Sequence, residues 1–195
     1  DSVASRGLGD VYKRQVFESL PWVRRAVVRR AFPDGMEVEL QEHQAAALWG
    51  EPDKSTLVNT HGEVFEASLG DVEGENLLHL DGPNGSAAEV LRMSRVLKPV
   101  LEGGLKQPLQ SLALSVHGGW HARMGSGARI DIGRGTDEQL VARVQRFVDT
   151  FAQAGAKYGR TRSDFIETAD LRYADGYALK LVGVTTGDGK KTGRK

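Results

Sequence analysis

Apolar and polar positions first become regular between Val23 and Leu40. The segment Phe32-Pro33-Asp34-Gly35 divides this stretch, and beyond it Met36 and Val38 alternate with charged residues. An alternation of period two is typical of a β-strand with one covered face, and proline and glycine are common turn residues. The pattern therefore predicts a tight antiparallel β-hairpin.

Later parts of the chain contain short apolar runs separated by glycine turns, which is typical of short strands. Asp175-Gly176 is a strong signal for a hairpin between the last two runs, and the three runs before them predict a meander. The predicted strands are Ala45–Trp49, Thr56–Asn59, Val64–Phe65, Leu77–Leu80, Leu109–Val116, Trp120–Met124, Ala128–Ile132, Phe165–Tyr173 and Tyr177–Val182.

Two other stretches carry apolar residues with the period of an amphipathic helix, about 3.6 residues. Ser86 with Glu89 predicts a capping box at the start of the first helix, and Gly103-Gly104 predicts its end. Thr136 predicts the cap of the second helix, which ends around Ala154-Gly155. The apolar stripes are Val90, Met93, Val96, Leu97, Val100 and Leu101 in the first helix and Leu140, Val144, Phe147, Val148 and Phe151 in the second.

The charge balance argues against a polyanionic partner. The 195 residues include 26 Lys and Arg and 26 Asp and Glu, so no net charge favours nucleic-acid binding. The cluster Arg24, Arg25, Arg29 and Arg30 is locally basic, but alternation along a strand distributes its charges over two faces. The favoured interpretation of this cluster is a solvated strand face near a membrane surface.

Residues that would support catalysis or metal binding are few. Cysteine is absent, which excludes thiol nucleophiles and thiolate metal sites. His117-Gly118-Gly119-Trp120 is similar to the oxyanion loop of esterases, but the chain has no Gly-x-Ser-x-Gly nucleophile motif. His117 and His121 have the spacing of a helical metal pair, and the glycines between them argue against a helix. We therefore predict no enzyme, cofactor or metal site.

The last predicted strand, Tyr177–Val182, carries a single charged residue, Lys180. Proteins usually cover or charge a sheet edge, because an edge strand with free backbone groups pairs readily with another chain. Strand addition by a partner is one interpretation of this segment. Coverage by a neighbouring strand or by the C-terminal tail is the other, and the residues alone do not favour either.

Several segments, in order along the chain, resemble the bacterial cell-division family FtsQ. The first is Leu20–Trp49, in which Leu-Pro-Trp precedes the arginine-rich strand, the Phe-Pro-Asp turn and a Glu-His step. The others are Leu57-Val58-Asn59, Gly62-Glu63-Val64-Phe65, Leu80-Asp81-Gly82-Pro83 with Gly85-Ser86, and Asp170-Leu171-Arg172-Tyr173 with Asp175-Gly176. The resemblance extends over about Val16 to Val182.

With the strands and helices above, the resemblance implies an α+β fold: a β-rich mixed or antiparallel sheet with two amphipathic helices, preceded by a partial POTRA hairpin. Residues 16–44 would be the C-terminal part of a POTRA domain and residues 45–183 an FtsQ-type β domain. Residues 1–15 do not match the family and are expected to be disordered or poorly packed, and residues 184–195 are expected to form a flexible tail. The family's membrane-spanning helix and first half of its POTRA domain are not visible in this sequence.

The resemblance also implies a function: a non-enzymatic scaffold of the divisome, anchored in the inner membrane by one span, with this part in the periplasm. Family members bind the FtsB–FtsL coiled coil, and the last strand of the β domain accepts a segment of FtsB by β-strand addition. Carried over by position, the partner-binding residues are Arg172, Tyr173, Gly176, Tyr177, Ala178, Leu179, Lys180, Leu181, His117 and Trp120.

His117 stands where the family commonly has an arginine. Because an unperturbed histidine is mostly neutral at about pH 7, this position lacks the fixed positive charge that would pair with a partner carboxylate. The alternative function is a POTRA-type peptide-binding module of an envelope-assembly or secretion machine. In that case the hairpin Val23–Leu40 would receive the client.

Overall fold

The computed structural model describes residues 15–33, 35–51, 55–72 and 74–184. The chain divides into two units, Asp1–Leu91 and Arg92–Lys195. The predictions for residues 1–15 and 184–195 lie outside the described residues except at Gln15 and Val184.

An antiparallel hairpin follows a short helical turn in the first unit. Strand β1 (Val23–Ala31) pairs with strand β2 (Gly35–Glu42). Val23 and Ala26 are buried, whereas every residue of β2 is exposed. The predicted hairpin is therefore confirmed, and β1 supplies its buried side chains.

A mixed sheet follows in the same unit, and its strands are β3 (Ala45–Trp49), β4 (Thr56–Asn59), β5 (Val64–Glu66) and β6 (Leu78–Asp81). Their order is β6-β3-β4-β5, with β3 parallel to β6 and the other pairs antiparallel. A 3-10 turn, Leu69–Val72, lies between β5 and β6. Leu57, Phe65 and Val72 are buried together, and Trp22 packs against this cluster. Trp22 comes directly before β1, so its side chain ties the start of the hairpin to this sheet.

Helix α1, Ala87–Leu105, begins in the first unit and ends in the second. Its predicted apolar positions Val90, Met93, Leu97 and Leu101 are buried, as the periodicity requires. Ser86 precedes the helix, and its hydroxyl donates to the Pro83 carbonyl oxygen (2.7 Å). In the predicted capping box this hydroxyl would instead accept from an N–H of the helix.

The predicted end of α1 at Gly103-Gly104 is wrong, because the helix continues to Leu105. A Cβ atom at Gly104 would lie 2.3 Å from the Val148 Cβ atom. Gly104 therefore permits close packing of the helix rather than ending it, and the residue with positive φ at this end is Lys106 (φ 55°).

The second unit contains a mixed sheet whose strands are β7 (Leu109–Leu114), β8 (Trp120–Met124), β9 (Arg129–Gly133), β10 (Ile166–Asp170) and β11 (Ala178–Leu181). Their order is β11-β10-β9-β8-β7. Strands β7, β8 and β9 form the predicted antiparallel meander, and β10 and β11 form the predicted hairpin. Strand β10 is parallel to β9, since a helix connects the two.

That connecting helix is α2, Asp137–Ala156, followed by a 3-10 turn at Ser163–Phe165. Thr136 caps α2 through the predicted contact: its hydroxyl oxygen accepts from the Gln139 N–H, and the Gln139 side chain accepts from the Thr136 N–H. The predicted stripe is buried along its whole length, at Leu140, Val144, Phe147, Val148 and Phe151. The α+β class with a mixed sheet and two amphipathic helices is therefore confirmed.

One face of the sheet in the second unit is covered and the other is open. Alternate residues such as Leu112, Ala122 and Ile130 are buried, while His121 and Arg123 between them are exposed. The open face is consequently polar and charged, and the edge strand β11 borders it.

Candidate protein-binding edge strand

Strand β11 lies at the end of the strand order in the second unit. It pairs with β10 in the antiparallel register that sets Ala178 opposite Asp170 and Lys180 opposite Thr168. Within the ranges that the structure describes, no strand pairs with its other side. Among these residues, one row of backbone groups on β11 has no strand partner, and an edge of this kind is a template for another chain.

The direction of one hydrogen bond identifies the outward-facing groups of β11. The Val182 N–H donates to the Phe165 carbonyl oxygen (2.8 Å), which is on the β10 side. Because backbone groups point to alternate sides along a strand, the N–H and C=O groups of Lys180 and Ala178 also point toward β10. Leu179 then presents its N–H and C=O groups to the open side, and Leu181 presents its N–H, whereas the Leu181 carbonyl oxygen accepts from the Val184 N–H (3.2 Å).

The side chains of β11 protect this edge weakly. Ala178 is small and exposed, Leu179 is half-buried, and Leu181 is buried. The single charged residue, Lys180, is exposed, and its Nζ atom lies 2.6 Å from Glu167 Oε1 in an ion pair with the neighbouring strand. Lys180 is therefore held toward β10, and no charge on β11 itself blocks a strand arriving from the other side.

The turn before β11 is fixed at both of its ends. Arg172 Nε and Nη2 donate to the two carboxylate oxygens of Asp170 at 2.8 and 2.6 Å, and these hydrogen bonds lower the pKa of Asp170 below its usual value. At the other end, Tyr177 Oη and Thr150 Oγ1 are hydrogen-bonded at 2.9 Å, and the Tyr177 ring packs edge-on against Phe147 at 5.1 Å. Helix α2 thus positions the start of β11.

Two further residues of the predicted partner-binding set, Tyr173 and Gly176, also lie in this turn. Tyr173 is 57% exposed and offers its ring to solvent. Gly176 is half-exposed, and no atom lies within 4 Å of the position that a Cβ atom would take there. An exposed ring and a glycine with open space beside it therefore precede the edge strand.

His117 and Trp120 differ in their exposure to solvent. His117 is exposed in the turn between β7 and β8, whereas Trp120 is only 3% exposed. The Trp120 side chain therefore packs inside the protein, and the place of this residue in the partner-binding set stays a prediction. His117 nevertheless lies at the same end of the sheet as Arg172, because Trp120 pairs with Gly133 and Gly133 packs beside Arg172.

Comparison with known proteins decides the family. Residues 47–172 match the family model "Cell division protein FtsQ/DivIB, C-terminal", and residues 12–43 match "POTRA domain, FtsQ-type". The chain belongs to the FtsQ/DivIB family. The resemblance noted from the sequence is thereby confirmed.

Relatives within the FtsQ/DivIB family carry the name "Cell division protein FtsQ". The protein of Thiomonas arsenitoxydans is 41% identical over 184 residues, which is 93% of this chain and 66% of the relative. Those of Bordetella pertussis and Shewanella oneidensis are 34% and 40% identical, over 86% and 85% of this chain and 64% and 58% of the relatives. The chain thus spans less than two thirds of the length of these relatives.

The FtsQ/DivIB match ends at Arg172, so β11, which begins at Ala178, lies beyond the matched residues. Within the described ranges, no helix is both long enough and apolar enough to span a bilayer. The same ranges contain no group of three or more His, Cys, Asp and Glu residues arranged to hold a metal ion.

A hydrogen-bonded cluster around His43 in the first unit was missed by the sequence interpretation. The His43 ring stacks on Phe65 with their centroids 4.2 Å apart, and burial lowers its pKa. Its Nδ1 atom lies 2.9 Å from the amide nitrogen of Asn59, a fully buried polar residue. No periodicity signals this contact, because its members come from a loop and two separate strands.

Proposed function

We propose that this chain is a non-enzymatic, periplasmic part of the cell-division complex and that it binds FtsB, together with FtsL, by β-strand addition. The observation that carries the proposal is the position of β11 at the sheet edge, with Leu179 and Leu181 directing backbone groups outward. Membership of the FtsQ/DivIB family supports the division role. The proposed anchor is a single inner-membrane span elsewhere in the full protein.

Strand addition uses main-chain hydrogen bonds for affinity and neighbouring side chains for selectivity. Each hydrogen bond to Leu179 or Leu181 contributes about 0.5–1.5 kcal/mol net. Such a contact is modest by itself. In the proposed complex, contacts between the membrane-spanning segments of the partners raise the effective concentration of the FtsB strand at β11.

The side chains beside the edge supply the proposed selectivity. Ala178 leaves space for a partner side chain, and the exposed Tyr173 ring lies at the start of the same strand. Arg172 and His117 complete the proposed contact set, whereas Trp120 supports it from within the core. Because the Arg172 guanidinium already binds both oxygens of Asp170, a partner carboxylate at this position would share that guanidinium.

The test is equilibrium binding of an FtsB-derived peptide to wild type and to Leu179→Pro. Proline removes the outward N–H of residue 179 without removing an N–H that bonds to β10. We expect affinity to fall about 10-fold or more, which corresponds to about 1.4 kcal/mol. Leu179→Ala is the matched control, since it shortens the same side chain and keeps the N–H. Unchanged affinity in a folded Leu179→Pro protein would place the binding site elsewhere.

A second candidate function is peptide binding at the hairpin, as in a POTRA-type module of an assembly or secretion machine. Strand β2 pairs only with β1 among the described residues, and Met36, Val38 and Leu40 are 46%, 36% and 44% exposed. Loss of client binding in Val28→Pro, with full binding in Leu179→Pro, would assign the function to the hairpin. Turnover of generic ester or peptide substrates by the purified chain would refute the non-enzymatic role.

A further inference from the structure

Two arginines face each other on the open side of the sheet in the second unit. Arg123 on β8 is the direct cross-strand partner of Arg129 on β9. Both side chains are exposed, while the residues next to them, Ala122 and Ile130, are buried on the other face. The two guanidinium groups are therefore neighbours on the same open surface.

Like charges at directly opposite positions of an antiparallel pair destabilise the sheet. Within the described ranges, neither Arg123 nor Arg129 forms a hydrogen bond or an ion pair through its side chain. Their repulsion is thus not relieved by a carboxylate of this chain. An arrangement of this kind is relieved when an anion binds between the two cations.

Three carboxylates lie near the arginine pair, and each is already engaged. Asp131 lies 2.6 Å from His121 Nδ1, and Glu167 lies 2.6 Å from Lys180 Nζ. Asp164 accepts from the Gln107 side chain at 2.9 Å and pairs with Arg162. Each of these acidic groups therefore has a partner other than Arg123 and Arg129, so the two arginines keep their capacity for an external anion.

The surface around the pair has a suitable shape. A hollow of about 190 Å³ is lined by both arginines and by Ser126, Asp164, Glu167 and Val182, among others. A second hollow of about 230 Å³ is also lined by both arginines, together with Ser111, His121 and Asp131. Each hollow has room for one acidic side chain, with hydroxyl groups beside the guanidinium groups.

We propose that Arg123 and Arg129 form a binding site for a carboxylate group of an acidic protein segment that crosses the open face of the sheet. The planar guanidinium fork matches the two oxygens of a carboxylate. A dianionic phosphate is disfavoured, because Asp164 and Glu167 line the same hollow and would repel its second charge. A protein segment fits better than a free acid, since both arginines line two hollows, which can take two acidic side chains of one segment. The site is separate from β11 and does not depend on strand addition there.

The experiment uses the whole chain labelled with ¹⁵N and follows the side-chain Nε–H signals of Arg123 and Arg129 by NMR. The single variants R123Q and R129Q assign these signals. The probe is an acetylated, amidated hexapeptide of alternating Glu and Ser, and the matched peptide replaces each Glu with Gln. We expect saturable shifts of both signals with the Glu peptide, with a dissociation constant of about 1 mM or below, and none with the Gln peptide.

The double variant R123Q/R129Q is expected to bind the Glu peptide at least about 10-fold more weakly, since a bidentate charge-assisted contact is lost. The control variant K98Q/R134Q makes the same change in net charge at two other exposed positions and should bind like wild type. Equal losses of affinity for the Glu peptide in the two double variants would show that overall charge causes the effect, which would contradict the proposal. Absence of saturable shifts, or tighter binding of inorganic phosphate than of the Glu peptide, would overturn the proposal.

Thermal unfolding of R123Q/R129Q without peptide separates a binding role from a structural one. Because the substitution removes cross-strand repulsion, we expect a midpoint equal to or above that of wild type. A lower midpoint would show that the arginines stabilise the fold and would contradict the proposal. In wild type, the Glu peptide should raise the midpoint, because a ligand that binds only the folded state stabilises it.

Discussion

Arg24 and Glu63 join the hairpin of the first unit to the loop that follows strand β4. Arg24 Nε and Nη2 donate to both carboxylate oxygens of Glu63, at 2.6 and 2.9 Å. Asn59, which is fully buried, donates from Nδ2 to the same carboxylate at 2.6 Å. These hydrogen bonds, with that from Arg24 the largest, lower the pKa of Glu63 from 4.5 to about 2. The hydrogen bonds that join β1 to Glu63 therefore depend on the ionisation of one carboxyl group.

The stabilising effect of Glu63 is expected to disappear in acid. Because the pKa of Glu63 is lowered on folding, its contribution is present in full above the unfolded value of 4.5 and is lost as the pH falls toward about 2. We expect Glu63→Gln to unfold at a lower temperature than wild type at neutral pH. The difference between the two midpoints should shrink between about pH 5 and pH 2.

Thermal unfolding of both proteins across this range, monitored by circular dichroism, is the measurement. Glu66→Gln serves as the control, since it makes the same change of side chain at an exposed residue on the following strand, β5. A midpoint difference that stays constant down to pH 2 would show that Glu63 acts through packing alone.

Asn59→Ala should be strongly destabilising. The Asn59 Oδ1 atom accepts from the N–H groups of His61 and Glu63, each at 2.9 Å, and its amide nitrogen contacts Glu63 and His43. Removal of the amide leaves two backbone donors without this acceptor, at about 1–3 kcal/mol each. We expect a loss of about 2–4 kcal/mol in the free energy of unfolding, measured by urea denaturation. His61→Ala keeps these bonds and should cost less than about 0.5 kcal/mol.

Two adjacent glycines of α1 should respond in opposite ways to alanine. A Cβ atom at Gly104 would lie 2.3 Å from the Val148 Cβ atom, so Gly104→Ala overpacks the helix contact and should cost about 1–3 kcal/mol. No atom lies within 4 Å of a Cβ at Gly103, so Gly103→Ala should stabilise the helix by about 0.5–1 kcal/mol.

Urea denaturation of the two variants measures both effects. The double variant Gly104→Ala with Val148→Ala should recover part of the stability lost at Gly104, because it removes the γ-methyl groups that lie 2.7 Å from the new Cβ atom. A loss at Gly103 equal to that at Gly104 would mean that flexibility, and not helix contact, is the requirement at both positions.

Tyr177→Phe tests whether helix α2 positions the start of β11. The variant keeps the ring contact with Phe147 and loses the hydrogen bond to Thr150. We expect a loss of about 0.5–1.5 kcal/mol. Thr150→Val should lose more, because the Thr150 hydroxyl also donates to the Arg146 carbonyl oxygen (2.7 Å). In the double variant the two losses should not add in full, since both substitutions remove the bond between Tyr177 and Thr150. Hydrogen exchange should also quicken at the N–H groups of Lys180 and Ala178. Additive losses would show that the two hydroxyl groups act independently.

Short stretches of the sequence determined much of the secondary structure. The hairpin of β1 and β2, the meander of β7 to β9 and the two apolar helix stripes follow from periodicity, and Thr136 caps α2 as its spacing predicts. These features depend on residues within a few positions of one another. Local geometry therefore decides them, and the order of FtsQ-type segments was sufficient to indicate the family.

Only the tertiary structure decided how distant segments meet. It set β10 parallel to β9, buried Trp120, and used Gly104 for packing against Val148. It also brought Arg24 to Glu63 and set Arg123 opposite Arg129. Each of these outcomes depends on strand order and register, which are set by burial of apolar surface across the whole unit. A periodicity of a few residues contains no information about which remote segment will supply the neighbour.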